Sequence, residues 1–293
     1  MKNRVVILFL VVSQIFYAQN NSFFKKSDSL NIQKRKVLLY SGLTTYGVSM
    51  LGLNQLWYAK YPRSHFHTIN DNKEWLQMDK IGHMMTSYYV GKIGMELLDW
   101  SGESKKNQLL FGSSLGFVFL TTVEVMDGFS KEWGFSTGDM LANLSGTGLL
   151  VGQELLWNEQ RILLKYSFHQ TDYAFQNPDL LGANFMEQTL KDYNGQTYWL
   201  SVNIWSFNKK SKFPKWLNVA FGYGAEGMLH GNNIPMDNRY RQFYLSLDVD
   251  LTKIKTKSKF LKSLFNTVNF IKIPAPALVY SNVNKWQFFG VYF

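Results

Sequence analysis

A chain of 293 residues has room for a sizeable core and for one or two domains. It contains no cysteine, which excludes disulfides, thiolate metal sites and a lipid-modified N-terminal cysteine. Its 31 Lys and Arg against 21 Asp and Glu give a formal charge of +10, a balance that suits nucleic acid or anionic lipid.

The first residues choose between those two partners. Lys2 and Arg4 followed by the apolar run Val5–Val12 read as a secretory signal, with Ala18 offering a cleavage site before Gln19. Phe16 fits that site poorly, and the alternative is an anchor that stays attached; the reading favoured is a signal peptide over residues 1–18. An exported chain does not meet nucleic acid, so the partners expected are membrane lipid or an acidic envelope polymer, with a protein partner also open. The location expected is the cell envelope, the outer membrane favoured over the inner. An aromatic content of 16% suits a membrane interface and an aromatic-rich core about equally.

Residues 19–36 are polar and basic and read as a tether. A helical bundle is expected over residues 37–160, built on Val37–Tyr58, Met84–Leu98, Leu109–Val123 and Met140–Leu156. Gly42, Gly47 and Gly52 in the first segment suit a helix packed against other helices. Leu109–Val123 is wholly uncharged and is the segment best fitted to cross a membrane. The others carry polar cargo, and the mean hydropathy of −0.17 argues against mostly lipid-facing helices.

Residues 161–293 change character. Tyr166–Phe175, Gln196–Phe207, Trp216–Tyr223, Tyr240–Asp250 and Lys285–Phe293 read as five strands, fewer than a closed membrane barrel needs. Lys257–Lys272 reads as one amphipathic helix stopped by Pro274 and Pro276. Its apolar face is expected to cover the sheet, the alternative being a membrane-surface helix. The fold class expected is therefore α+β: a four-helix membrane-associated bundle followed by a small antiparallel sheet with one amphipathic helix.

Three polar clusters sit at the edges of the apolar segments, with members three and four residues apart on one helix face. The first is Asp79-Lys80-x-x-His83. A carboxylate one turn before an imidazole fixes its tautomer and raises its basicity, as a base or metal ligand requires, with Ser87 one turn further on. The plainer role for Asp79 is a helix cap. The second is Glu124-x-x-Asp127, two carboxylates at the end of the most apolar segment. They need a cation or a shared proton there, unless Asp127 simply belongs to a turn and Glu124 pairs with Lys80. The third is Ser136-x-x-Asp139-x-x-x-Asn143-x-x-Gly146, which opens like a capping box and leaves the Asn143 amide for a hydrogen bond between helices or for a ligand.

In an up-and-down bundle the start of the second segment, the end of the third and the start of the fourth share one end. His83, Glu124, Asp139 and Asn143 are thus expected in one network, with Lys80 as counter-charge and Asn54-Gln55 beside them. A catalytic reading makes His83 the base, oriented by Glu124 and Asp139. Asp79, Lys80, Asp127, Ser136 and Asn143 are binding candidates. Nothing decides whether a metal or cofactor binds, and no phosphate loop, nucleophile elbow or two-histidine metal motif supports an enzyme. A non-enzymatic envelope component is favoured over an enzyme acting on a phosphorylated or lipid-linked envelope substrate.

The order Asp79-Lys80-x-x-His83, Tyr88, Glu124, Asp127, Ser136, Asp139, Asn143 and Gly146 resembles the uncharacterised YfiM-type lipoprotein family. More distantly it is similar to the VanZ-like membrane proteins linked to glycopeptide resistance. The resemblance covers roughly residues 75–157, and it implies fold and envelope location without an established reaction. Three features depart from it: the missing cysteine, Asp127 where VanZ-like chains carry glutamine, and Lys131 where they place an arginine. The strand-rich half lies outside it.

Overall fold

The computed structural model describes Phe23, residues 25–232 and residues 238–293. The signal peptide expected over residues 1–18 lies outside the described residues. The chain divides into two compact units, and the division cuts across the linear order. One holds the chain up to Lys60 together with Val90–Leu115, and the other holds Tyr61–Tyr89 and Gly116–Phe293.

In the first unit, helix α1 spans Ile32–Leu53. It begins inside the expected tether because the Asn31 side chain caps it, accepting from the Lys34 backbone N–H at 3.1 Å. The basic run is held rather than loose. Lys34 is buried 4.6 Å over the Trp100 ring, Arg35 reaches Glu103 at 3.2 Å, and Lys26 pairs with Asp99 at 2.8 Å. The rest of α1 is unpacked, with Leu39, Leu43 and Leu51 more than half exposed. Gly42, Gly47 and Gly52 face open space, so the expectation that they mark a helix–helix contact is corrected.

Helix α2, Met78–Trp100, contributes its first half to the second unit and its second half to the first. Helix α3, Ser114–Gly128, and helix α4, Thr137–Trp157, belong almost wholly to the second. The architecture shown is α+β, a helical region and an antiparallel sheet, and the division into units does not itself show a single four-helix membrane bundle. By length and composition alone, Lys105–Gly128 is the one helical stretch among the described residues apolar enough to cross a membrane. In the second unit α2 lies very close to α3 and α4. A Cβ on Gly116 would fall 2.0 Å from the Ser87 carbonyl oxygen, and one on Gly146 would fall 2.0 Å from that of Met84. Only glycine permits backbones to approach this closely.

Two short strands, β1 (Thr68–Ile69) and β2 (Phe135–Ser136), pair in parallel and tie the segment before α2 to the start of α4. The main sheet is antiparallel, in sequence order: β3 (Ile162–Phe168), β4 (Gln196–Val202), β5 (Leu217–Glu226), β6 (Tyr240–Val249), β7 (Ala275–Ser281) and β8 (Lys285–Tyr292). Among the described residues six strands replace the five expected, because Pro274 does not stop a helix but precedes β7, and Pro276 lies within it. Pro276 sits at an irregularity in the β7–β8 register, where the ladder tolerates a missing N–H. Residues 173–175 and 204–207, expected in strands, fall in short helices.

The sheet is strongly curled. Neighbouring strands lie about 4.8 Å apart, so β8 and β4 would stand far apart in a flat sheet. Yet the Tyr292 ring packs against Trp199, and its hydroxyl lies 3.4 Å from that of Thr197. The concave face is closed around Trp199, Ala220, Tyr244 and Val279. The amphipathic helix α5 spans Lys259–Val268, and none of its residues is buried. Phe260, Leu261 and Leu264 stay exposed, so this helix does not cover the sheet as expected.

Candidate functional site

The site lies within the second unit, where the starts of α2 and α4 meet the end of α3. An unusual turn delivers the first turn of α2. Trp75, Leu76 and Gln77 have φ values of 47°, 50° and 67°, the left-handed region that costs a residue with a Cβ about 1–2 kcal/mol. The turn is held at several points. The Trp75 N–H donates to the Gly231 carbonyl at 3.0 Å, Arg241 donates to Gln77 Oε1 at 2.7 Å, and Tyr223 donates to the Leu76 carbonyl.

From this turn Asp79, Lys80 and His83 project toward α3 and α4. The Lys80 ammonium lies 2.6 Å from Asp71 Oδ2, 2.9 Å from both Asp139 oxygens and 3.7 Å from Asp79. The His83 Nδ1–H donates to Asn143 Oδ1 at 3.1 Å, and the same nitrogen is 3.6 Å from Glu124 Oε1. On its other side Nε2 is 3.9 Å from Asp79 Oδ1, which accepts the Tyr193 hydroxyl at 2.5 Å.

Ser136 joins the remaining groups. As the cap of α4 its Oγ accepts the Asp139 N–H at 3.1 Å and donates to Asp71 Oδ1 at 2.6 Å. Its own N–H donates to Glu124 Oε2 at 3.0 Å. Glu124, Ser136, Asp139 and Asn143 are buried, whereas the Asp79, Lys80 and His83 side chains keep some access to solvent.

The structure thus brings together Asp79, Lys80, His83, Glu124, Ser136, Asp139 and Asn143. Asp127 is one turn beyond Glu124 and half-buried, and its charge helps to raise that carboxyl. Asn54 and Gln55 fall in the other unit. Ser87 does not serve the His83 ring but donates to the Asn143 carbonyl at 2.7 Å. Lys80 pairs with aspartates, while Glu124 sits beside His83. Asp71 and Tyr193 were missed. Neither lies in a periodic pattern, since one sits in a loop and the other just before the Asn194-Gly195 turn. The departure at Lys131 is an exposed residue.

Four carboxylates face one lysine and one histidine, and this surplus of negative charge shapes every protonation. Burial, assisted by the Asp139 charge and only partly offset by His83, pushes Glu124 up to about 8. Burial and the Asp79 charge push Asp139 up to about 7. Burial opposes the charge on His83 and on Lys80, but Asp79 and Asp139 outweigh it and raise both. Burial disfavours the Asp71 charge too, yet bonds from Lys80 and Ser136 hold this carboxyl below its usual range. The cluster therefore holds protons that can move near neutrality.

Asp79, His83 and Asp139 offer ligand atoms within 4.8 Å of one another, a donor set that suits a divalent cation. The Lys80 ammonium already touches Asp139 and lies near Asp79, so a metal there would have to displace it.

No curated protein and no solved structure matches the chain. Residues 69–153, less than a third of it, match the family model described as "Predicted periplasmic lipoprotein (DUF2279)". That stretch runs from β1 almost to the end of α4 and contains every cluster residue except Tyr193. None of the 293 residues is a cysteine that could carry the lipid the description names. The match supports an uncharacterised cell-envelope protein of a lipoprotein-type family.

Proposed function

We propose that the protein is a non-catalytic component of the cell envelope, associated with a membrane and with the outer membrane in preference to the inner. In this reading the polar cluster is an internal fastening. The observation that carries it is mutual engagement. Lys80, Asp71, Asp79, Ser136, Asp139, His83 and Glu124 each serve another group of the cluster, so that α2, α3, α4 and the segments bearing Asp71 and Tyr193 are held at one point. Burying such groups is tolerable where they satisfy one another; of the cluster's buried atoms, Asp139 Oδ1 has the Lys80 ion pair alone and Asn143 Nδ2 has no hydrogen bond. The residue order shared with YfiM-type and VanZ-like chains supports the same envelope setting.

The second reading is an enzyme acting on a phosphorylated or lipid-linked envelope substrate, with His83 as base, Glu124 and Asp139 orienting it, and Lys80 meeting the anion. It draws on one specific observation, the titration of Glu124 and Asp139 near neutrality beside a partly accessible imidazole.

His83→Ala separates the two. As a fastening, His83 supports stability, and its loss leaves Glu124 and Asn143 without their partner. The melting temperature should then fall by several degrees, for a cost of about 1–3 kcal/mol. A variant that melts like the wild type yet fails to complement a deletion strain would sink the fastening in favour of the enzyme. Gradient fractionation that placed the mature protein wholly in the cytosol would sink both.

A further inference from the structure

We propose that the open part of the convex face, over β5–β8 of the six-stranded sheet, rests against bilayer hydrocarbon, with α5 on the adjoining headgroups. This rests on the membrane-associated reading above and names the surface that serves it.

The register carries the argument. One cross-strand row on the convex face reads Leu164, Leu200, Phe221, Leu245, Leu278, Phe288, one residue from each strand and every one apolar. The row two residues along reads Tyr166, Tyr198, Tyr223, Phe243, Tyr280, Trp286, and every one is aromatic. An apolar band beside a band of aromatic rings, mostly tyrosine and tryptophan, is how strands meet a bilayer, with such rings settling at the headgroup level. The helices and the turn before α2 cover β3, β4 and part of β5, where Tyr89 donates to the Leu164 carbonyl, Tyr198 packs at Gly82 and Tyr223 donates to the Leu76 carbonyl. The β5–β8 end is open: Phe221, Phe243, Leu245, Leu278, Trp286 and Phe288 are between 42% and 69% exposed.

The concave face buries ionic and polar groups beside its apolar cluster. Lys165, Asp248, Ser201 and Asn218 are fully or almost fully buried there. A sheet with charges inside and large apolar side chains outside is unfavourable in water on both counts, and favourable where the outside is hydrocarbon. Lipid is also the occupant that the neighbouring charge selects. From Leu251 to the C-terminus there are seven lysines and no acidic residue. Three of them, Lys257, Lys259 and Lys262, stand exposed at α5 beside the uncovered Phe260 and Leu264. This pairing of hydrocarbon contact with cationic contact matches an anionic bilayer. A protein partner would need hydrogen-bonding groups across its contact, and the open apolar row offers none.

The cysteine-free chain makes the test direct. Phe243→Cys, Leu245→Cys, Leu278→Cys and Phe288→Cys, with Lys210→Cys as a water-exposed control, each receive a nitroxide label. The full chain is then reconstituted into vesicles of three parts phosphatidylethanolamine to one part phosphatidylglycerol. On the convex face oxygen should relax the labels more than a water-soluble nickel chelate does, with Leu245→Cys deeper than Phe243→Cys and the order of reagents reversed at Lys210→Cys. Vesicle-bound protein whose convex-face labels favour nickel overturns the lipid face and leaves membrane association standing. Labels reached by neither reagent also overturn it, pointing to a protein contact. Protein that does not bind the vesicles overturns both.

Discussion

The second unit buries two ionic centres, and they are built on opposite principles. In the sheet, Lys165 meets Asp248 at 2.9 Å with both side chains fully buried. Asp248 also accepts from Ser201 and from the Ile273 N–H, and Lys165 donates to the Val249 carbonyl. The nearby Lys272, also buried, stacks on Trp199 and donates to the Ile273 carbonyl, and burial, against the pull of Asp248, pushes its ammonium down to about 8. Among the helices, by contrast, one lysine is shared by three aspartates and one histidine lies beside a glutamate, with a partly open rim. In the sheet the sealed Lys165–Asp248 pair acts as a fixed strut, and the charge in surplus beside it is the cation Lys272. A cluster with surplus carboxylates must hold protons, and its stability then depends on pH.

The sharpest way to break this contrast is Asp248→Asn, which keeps the shape and leaves the Lys165 charge buried without a counter-ion. It should cost about 3–5 kcal/mol in urea unfolding. Adding Lys165→Met should restore part of that loss, because the isolated charge is gone. A single variant as stable as the wild type would show that water reaches the pair. Lys80→Met is the corresponding cut among the helices, and its cost should depend on pH. We expect about 3 kcal/mol at pH 8 and clearly less at pH 5, where Glu124 and Asp139 are protonated. Equal losses at the two values would remove the surplus-charge account.

The smallest effect expected is a change of slope. Glu124 binds its proton more tightly in the folded chain, with a value raised from 4.5 to about 8. Its contribution to stability is therefore complete below 4.5 and lost as the pH rises to about 8. Asp139, raised from 3.8 to about 7, acts in the same direction, and so does His83, raised above 6.5. Asp71, whose value is lowered, acts oppositely but only below 3.8. The wild-type melting temperature should thus fall between pH 5 and pH 8.5. Glu124→Gln should lose less over that range, by on the order of 2 kcal/mol. Parallel wild-type and variant curves would mean that Glu124 is ionised throughout.

The sequence by itself determined much of the helical centre. Spacings of three and four in Asp79–His83 and Asp139–Asn143 place those side chains on one helix face, and the positions of the apolar segments put the three helix ends together. Both follow from local periodicity. Asp71 and Tyr193 were illegible because loop residues carry no period, and only chain reversals bring them within reach of Ser136 and Asp79. Glycine was legible as a residue and illegible as a contact: Gly116 and Gly146 permit close helix approach, whereas Gly42, Gly47 and Gly52 face open space. The strand-rich half was recognisable as strands, but β7 was hidden by its prolines, and proline reads as a stop until a bulge accommodates it. Which face of the sheet turns inward was decided only by the tertiary structure. Alternation shows that two faces differ, and it takes the curl, with Tyr292 reaching Trp199 and Lys165 reaching Asp248, to put the mixed face that carries the ion pair inside and leave the wholly apolar rows outside.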